Sequence, residues 1–177
     1  IDRKTAGLLC SAIISDTLLF RSPTCTPMDQ AAALNLAQIA GIDAEEFAKE
    51  MFEAGSKLKG KTDSEIFYQD FKRFTAGKLT FGVGQITSLN AEELEKLRER
   101  LLKYIGEARQ EQKVDMMFFM MTNILEQSTD LICDGQGAEQ LAAAAFHLRE
   151  AANVVKLPGV VSRKKQLIPG LMIATEQ

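Results

Sequence analysis

The stretch from Val114 to Leu125, VDMMFFMMTNIL, places apolar residues at nearly every position instead of at alternate ones. A strand with one wet face alternates, so a strand that does not alternate must be covered on both sides. This run predicts a central strand of a sheet, and the rest of the chain has to supply its cover. Its longest uninterrupted part, Met116 to Met121, falls far short of the roughly 20 apolar residues of a membrane span. No membrane association is expected.

Helix-start signals recur along the chain. Thr26 reads as an N-cap with Pro27 in the first turn and Asp29 three residues after the cap, and Gly41 is the stop. Asp43 with Glu46, Thr62 with Glu65 and Asn90 with Glu93 repeat the start signal. The helix from Asn90 has an apolar stripe at Leu94, Leu97, Leu101, Ile105 and Ala108. Its wet face carries Glu92–Lys96 and Glu99–Lys103, spaced for i,i+4 support. Residues 5 to 20, TAGLLCSAIISDTLLF, are apolar nearly all round, as in a buried helix. An Ala-rich helix is expected from Glu139 to Ala152, with His147 near its end as a surface or packing residue.

Strands are expected elsewhere. Leu79, Phe81 and Val83 alternate, and Gly82 and Gly84 between them signal a bulge or a close backbone approach. Ser128 to Asp134 reads as a hairpin partner of the central strand, turning at Glu126-Gln127. The last strands are expected to frame Gly159 and the basic run, with Pro169-Gly170 ending regular structure.

Three places could carry chemistry. Arg163-Lys164-Lys165 lies between Val160-Val161 and Leu167-Ile168. On an edge strand, Arg163 and Lys165 would point one way and Lys164 the other, and the lysines would block edge-to-edge pairing. At a bend they could converge on one anion, Arg as a planar fork and Lys as a point charge, which suits phosphate. Lys72, between Phe71 and Phe74, is either a stem snorkelling to water or a ligand-facing cation. Asp16 lies near the C-terminal end of the first helix, against the dipole. If buried it needs a cluster of N–H groups, a cation or a metal; otherwise it caps the following turn.

A formal charge of -3 argues against nucleic acid as a partner, which needs a basic surface, and fits a small anionic ligand at a local basic site. The cysteines at 10, 25 and 133 are odd in number and in no metal-ligand spacing, which indicates free thiols in a reducing, cytoplasmic compartment. Ile1 already lies within a helical pattern and the single histidine is His147, so the chain is expected to be part of a longer protein.

Ser15-Asp16-Thr17-Leu18, then Ser22-Pro23-Thr24 and Thr26, together with Ser162-Arg163-Lys164-Lys165-Gln166, resemble the family II inorganic pyrophosphatases of the DHH phosphoesterase superfamily. The resemblance covers nearly the whole chain but only the C-terminal portion of a family member. It implies an α/β fold, a mixed sheet flanked by helices of DHHA2 type, preceded by one helix from an upstream domain. Residues 1–21 would be the last helix of the DHH catalytic domain, 22–27 a hinge, and 28–177 the substrate-binding DHHA2 domain. The resemblance also assigns roles: Asp16 a metal ligand, Arg163 and Lys164 catalytic, phosphate-binding cations, and Lys72 a further substrate-binding lysine. It implies pyrophosphate as substrate, manganese or cobalt ions as cofactors with magnesium accompanying the substrate, an upstream DHH domain in cis and a homodimer of the full-length protein.

The family's His-x-x-x-Asp-x-Asp and Asp-His-His motifs do not occur in this sequence. The fragment is therefore expected to bind no catalytic metal and to be inactive alone. Two other functions remain open: a short-chain polyphosphatase of the same superfamily, and a non-catalytic phosphate-binding or interaction module.

Overall fold

The computed structural model describes residues 1–55, 58 and 60–176. They fall into two compact units, Ile1–Lys57 and Leu58–Gln177.

Three helices make the first unit: α1 (Arg3–Thr17), α2 (Pro27–Ala40) and α3 (Ala44–Gly55). The caps are those the sequence signals. Thr26 and Asp29 form a reciprocal capping box with Pro27 in the first turn, Gly41 is the left-handed C-cap, and the Asp43 carboxylate accepts from the N–H groups of Glu45 and Glu46. Cys10, Ile14, Ala33, Ala37, Ala44 and Ala48 form one shared core, mostly of small residues that allow close helix approach. The first helix is less buried than its composition suggests, with Leu8 at 72% and Leu9 at 48% exposure. Residues 22–27 connect α1 to α2 inside this unit and do not separate the two units. The three helices α1 to α3 make up the first unit.

The second unit is a five-stranded mixed sheet in sequence order: β1 (Phe71–Ala76), β2 (Leu79–Ser88), β3 (Met116–Asn123), β4 (Ser128–Asp134) and β5 (Val154–Pro158). Only β2 and β3 run parallel, joined by the crossover helix α5 (Ala91–Gln112); the other pairs are antiparallel. All eight residues of β3 are buried, which explains the missing alternation. Met117, Phe119 and Met121 pack with α5 and the short α4 (Asp63–Phe67) on one face. Met116, Phe118 and Met120 pack on the other with α6 (Ala138–Ala145) and α7 (Ile168–Ala174). The predicted stripe of α5 is the buried one, from Leu94 at 7% to Ala108 at 0% exposure.

Two elements differ from expectation. The Ala-rich helix stops at Ala145, followed by Phe146 and by His147 in the left-handed region at φ 53°, so His147 lies beyond the helix. The basic run is not a strand. Arg163–Leu167 form a π-helical turn that continues into α7 through Pro169 and Gly170. The wide turn has a cause in Pro169, which has no N–H and whose ring would collide with the carbonyl four residues back. Bonds from Leu167 N to Ser162 O and from Ile168 N to Arg163 O, each spanning five residues, open the turn before the proline.

Gly82 and Gly84 mark close approaches and not a bulge, because the register on both sides of β2 is continuous. A Cβ on Gly84 would stand 2.5 Å from the Phe119 ring and 3.1 Å from the Phe67 carbonyl oxygen. Gly84→Ala is expected to destabilise the second unit by about 1–3 kcal/mol, the usual cost of overpacking. Urea denaturation checks this, and an unchanged midpoint would show that the Phe119 ring has room to move.

Candidate functional site

Three of the sequence-predicted residues, Arg163, Lys164 and Lys72, belong to the second unit, and the contacts of Arg163 lie on the C-terminal half of β2 and just before β1. Ligand sites of α/β sheets commonly lie at this end. Arg163, at the head of the π turn, is 8% exposed. Its Nη1 donates to the Asp70 carbonyl at 2.8 Å and to the Val83 carbonyl at 3.2 Å, and its Nη2 donates to Asp70 Oδ1 at 2.6 Å. Lys72 stands directly opposite Val83 in the β1–β2 register, roughly 5 Å away across the ladder. Lys164 follows Arg163 in the chain. Lys72, Lys164 and Lys165 are all exposed, and none has an ion-pair partner among the described residues. One paired, buried guanidinium thus sits beside unneutralised ammonium groups.

The loop that delivers Arg163 is held by groups with no other evident use. Gln166 Oε1 accepts from the N–H groups of Val161 and Ser162 at 2.9 and 3.0 Å, while its Nε2 donates to the Gly159 carbonyl at 2.7 Å. The Ser162 side chain caps the turn by accepting from Lys165 N. Beneath the loop a polar relay crosses three strands. Gln85 Nε2 donates to Thr122 Oγ1 and to the Val161 carbonyl, Thr122 and Thr129 hydroxyls meet at 2.9 Å, and Thr129 Oγ1 donates to the Val160 carbonyl at 2.6 Å. Thr129 has a single proton and gives it to Val160, so Thr122 must be the donor between the two hydroxyls. Thr122 and Thr129 are fully buried, where a missing partner is expensive.

Asp16 belongs to the first unit. It is exposed, not buried, and its carboxylate neither caps the next turn nor meets any partner among the described residues. Capping falls instead to Thr17, whose hydroxyl accepts from Phe20 N. The backbone after Asp16 is strained: Leu18, Leu19 and Phe20 all lie in the left-handed region, at φ 49°, 51° and 65°. Each such residue costs on the order of 1–2 kcal/mol. Ser22 and Thr24 brace this turn, with Ser22 N donating to the Thr17 carbonyl, the two hydroxyls meeting at 2.8 Å, and Thr24 Oγ1 donating to the Asp16 carbonyl. Strain of this kind persists where the surroundings over-determine it. Here it holds a free carboxylate at the surface.

Asp16 does not make a metal centre with its neighbours, for no group of three or more His, Cys, Asp or Glu among the described residues is placed to hold an ion. The three cysteine thiols are all held above their ordinary range. Burial pushes the Cys133 thiol up to about 12 and also raises Cys10, and desolvation with the nearby Asp29 raises Cys25. Among the described residues no helix is long and apolar enough to cross a membrane.

The family model for the DHHA2 domain matches residues 49–174. The chain belongs to the DHHA2 domain family. This DHHA2 chain is 44% identical over 169 residues to a cobalt-dependent inorganic pyrophosphatase of Clostridium perfringens, covering 96% of the chain and 31% of that protein. It is 41% identical over 171 residues to the manganese-dependent inorganic pyrophosphatase of Bacillus subtilis, covering 97% of the chain and 55% of the relative. A crystal structure of a candidate family II inorganic pyrophosphatase from Methanococcus jannaschii superposes over the whole chain and 57% of its own length, with a TM-score of 0.87 at 36% identity. The chain thus spans about half or less of the length of these relatives, and corresponds to their DHHA2-containing part.

Sequence reasoning missed Asp70, Gln85, Thr122, Thr129 and Gln166. A signal existed for two of them, because Gln85 and Thr122 are polar side chains inside strands otherwise bound for the core. Thr129→Val removes the donor to Val160 while keeping the shape, and is expected to cost about 1–3 kcal/mol. A urea midpoint equal to that of the unsubstituted chain would show the relay to be dispensable.

Proposed function

We propose that this chain is the substrate-gripping part of an inorganic pyrophosphatase that hydrolyses pyrophosphate to two phosphates, acting in the cytoplasm with manganese or cobalt as the metal. The observation that carries the reading is that Arg163, next to Lys164 in the chain, bonds the carbonyl of Val83 directly opposite Lys72, and that neither lysine has an ion-pair partner among the described residues. A diphosphate offers several charged oxygens at short spacing. One planar fork and two mobile point charges match that better than they match a single carboxylate. The named relatives are manganese- and cobalt-dependent pyrophosphatases, and Ser162-Arg163-Lys164-Lys165-Gln166, one of the motifs that suggested the family, lies in the second unit beside this corner.

In phosphoryl transfer, charge develops on the equatorial oxygens and on the leaving group. Lys72 and Lys164 are suited to neutralise those oxygens, and Arg163 to fix their orientation from a buried, hydrogen-bonded position. The metal ions would supply the activated water. Asp16 is one carboxylate, with no supporting cluster among the described residues, so it would serve as one ligand of a set completed by other polypeptide.

Free thiols at all three cysteines fit a reducing compartment. In the full-length protein Lys164→Ala should lower kcat/KM by about 10²–10³, the scale of losing one preorganised charge stabiliser. Its side chain holds no partner among the described residues, so folding should be unaffected. Steady-state pyrophosphate hydrolysis checks this, and a change smaller than about threefold would remove Lys164 from the site.

A further inference from the structure

We infer that Asp70 is a positioning residue: it grips the tip of the Arg163 guanidinium so that the side-on edge, Nε–H with the outer Nη2–H, is presented to a phosphoryl group. The inference rests on the reading of Arg163 as a phosphate ligand and adds how it is aimed.

A guanidinium has five N–H donors in fixed directions. Both Nη1 protons are used, on the carbonyls of Asp70 and Val83, and one Nη2 proton is used on Asp70 Oδ1. The two acceptors of Asp70 are thus served by Nη1 and Nη2 together, which places Asp70 at the tip. The donors left over are Nε–H and the second Nη2–H. These lie parallel along one edge and form the fork that matches two oxygens of a phosphoryl group. Neither has a partner among the described residues.

Asp70 is itself anchored, because its carbonyl also accepts from Gln85 N at 3.0 Å, at the entry to β1. Its side chain remains 53% exposed, whereas that of Arg163 is 9% exposed. The carboxylate therefore links a buried cation to the surface where the lysines stand. Its charge offsets that of Arg163. The corner thereby divides its work: Arg163 supplies direction, and Lys72 and Lys164 supply net positive charge.

This division makes a prediction whose sign separates aiming from plain electrostatics. Removing a carboxylate from a basic corner raises its positive potential, so a purely electrostatic Asp70 would give tighter anion binding when deleted. Loss of aim gives weaker binding. Inorganic pyrophosphate is titrated into the isotope-labelled chain and into Asp70→Ala and Asp70→Asn, following the Arg163 Nε–H resonance together with the backbone signals of Lys72 and Lys164. Asp70→Ala is expected to weaken binding about tenfold, the worth of one charge-assisted hydrogen bond, and to erase the Nε–H response. Asp70→Asn keeps an acceptor and should restore both.

Equal or tighter binding by Asp70→Ala, or a wild-type Arg163 Nε–H that ignores pyrophosphate while Lys72 and Lys164 respond, would overturn the assignment. A wild-type chain in which none of the three responds would instead sink the pyrophosphate reading itself. Should Asp70→Ala fail to fold, Arg163→Lys decides. It keeps the charge but cannot bridge Asp70 and two phosphoryl oxygens, so unchanged affinity would contradict the inference.

Discussion

Burying a cation demands compensation on every side that faces protein. Arg163 meets that demand with two main-chain carbonyls and one carboxylate, drawn from Val83 of β2 and from Asp70 just before β1, some eighty and ninety residues earlier in the chain. An unpaired charge at such a position would cost several kcal/mol. The bonds therefore fix where the segment after β5 must lie, and with it Lys164. Gln166, Gln85 and Thr129 then hold the four residues before Arg163 by their own carbonyls and N–H groups. The sheet contributes more than a floor. Its parallel pair brings the Val83 carbonyl and the Gln85 side chain to the same end, and β1 adds Asp70 and Lys72 alongside.

Around that fixed guanidinium the free charges are left uncompensated. Among the described residues Lys72 and Lys164 stand without a carboxylate, and in the first unit Asp16 stands without a cation, braced on a turn of three left-handed residues. Elsewhere on the second unit some charges are paired, as with Arg109–Asp134 at 2.5 Å and Lys156–Glu126 at 3.0 Å.

Much of this was legible in the sequence because it rests on local rules. The lack of alternation at Met116 to Met121 gave the central strand, and Thr26, Thr62 and Asn90 gave helix starts that their side chains cap as expected. The parts that were not legible depend on long-range contacts. Nothing near Arg163 in the chain announces Asp70 or Val83, so the basic run read as well for an exposed strand as for a buried anchor. Its conformation turns on Pro169, which reads as a stop in the sequence but sits in the first turn of α7. Residues 22–27 have the composition of a linker, and they join α1 to α2, which share a small-residue core with α3. Asp16 is exposed, so burial imposes no need for a partner, and the strain lies in the backbone beside it.

The central claim is that one corner of the second unit collects a diphosphate through Arg163, Lys72 and Lys164. A crystal of this chain grown with pyrophosphate or a non-hydrolysable diphosphate tests it most directly. The account predicts density for the diphosphate against the Arg163 edge, within hydrogen-bonding reach of both lysine Nζ atoms and with the Asp70 contacts intact. Density at the cleft lined by Lys78, Gln140 and Thr175, with the Arg163 corner holding only water, would contradict it.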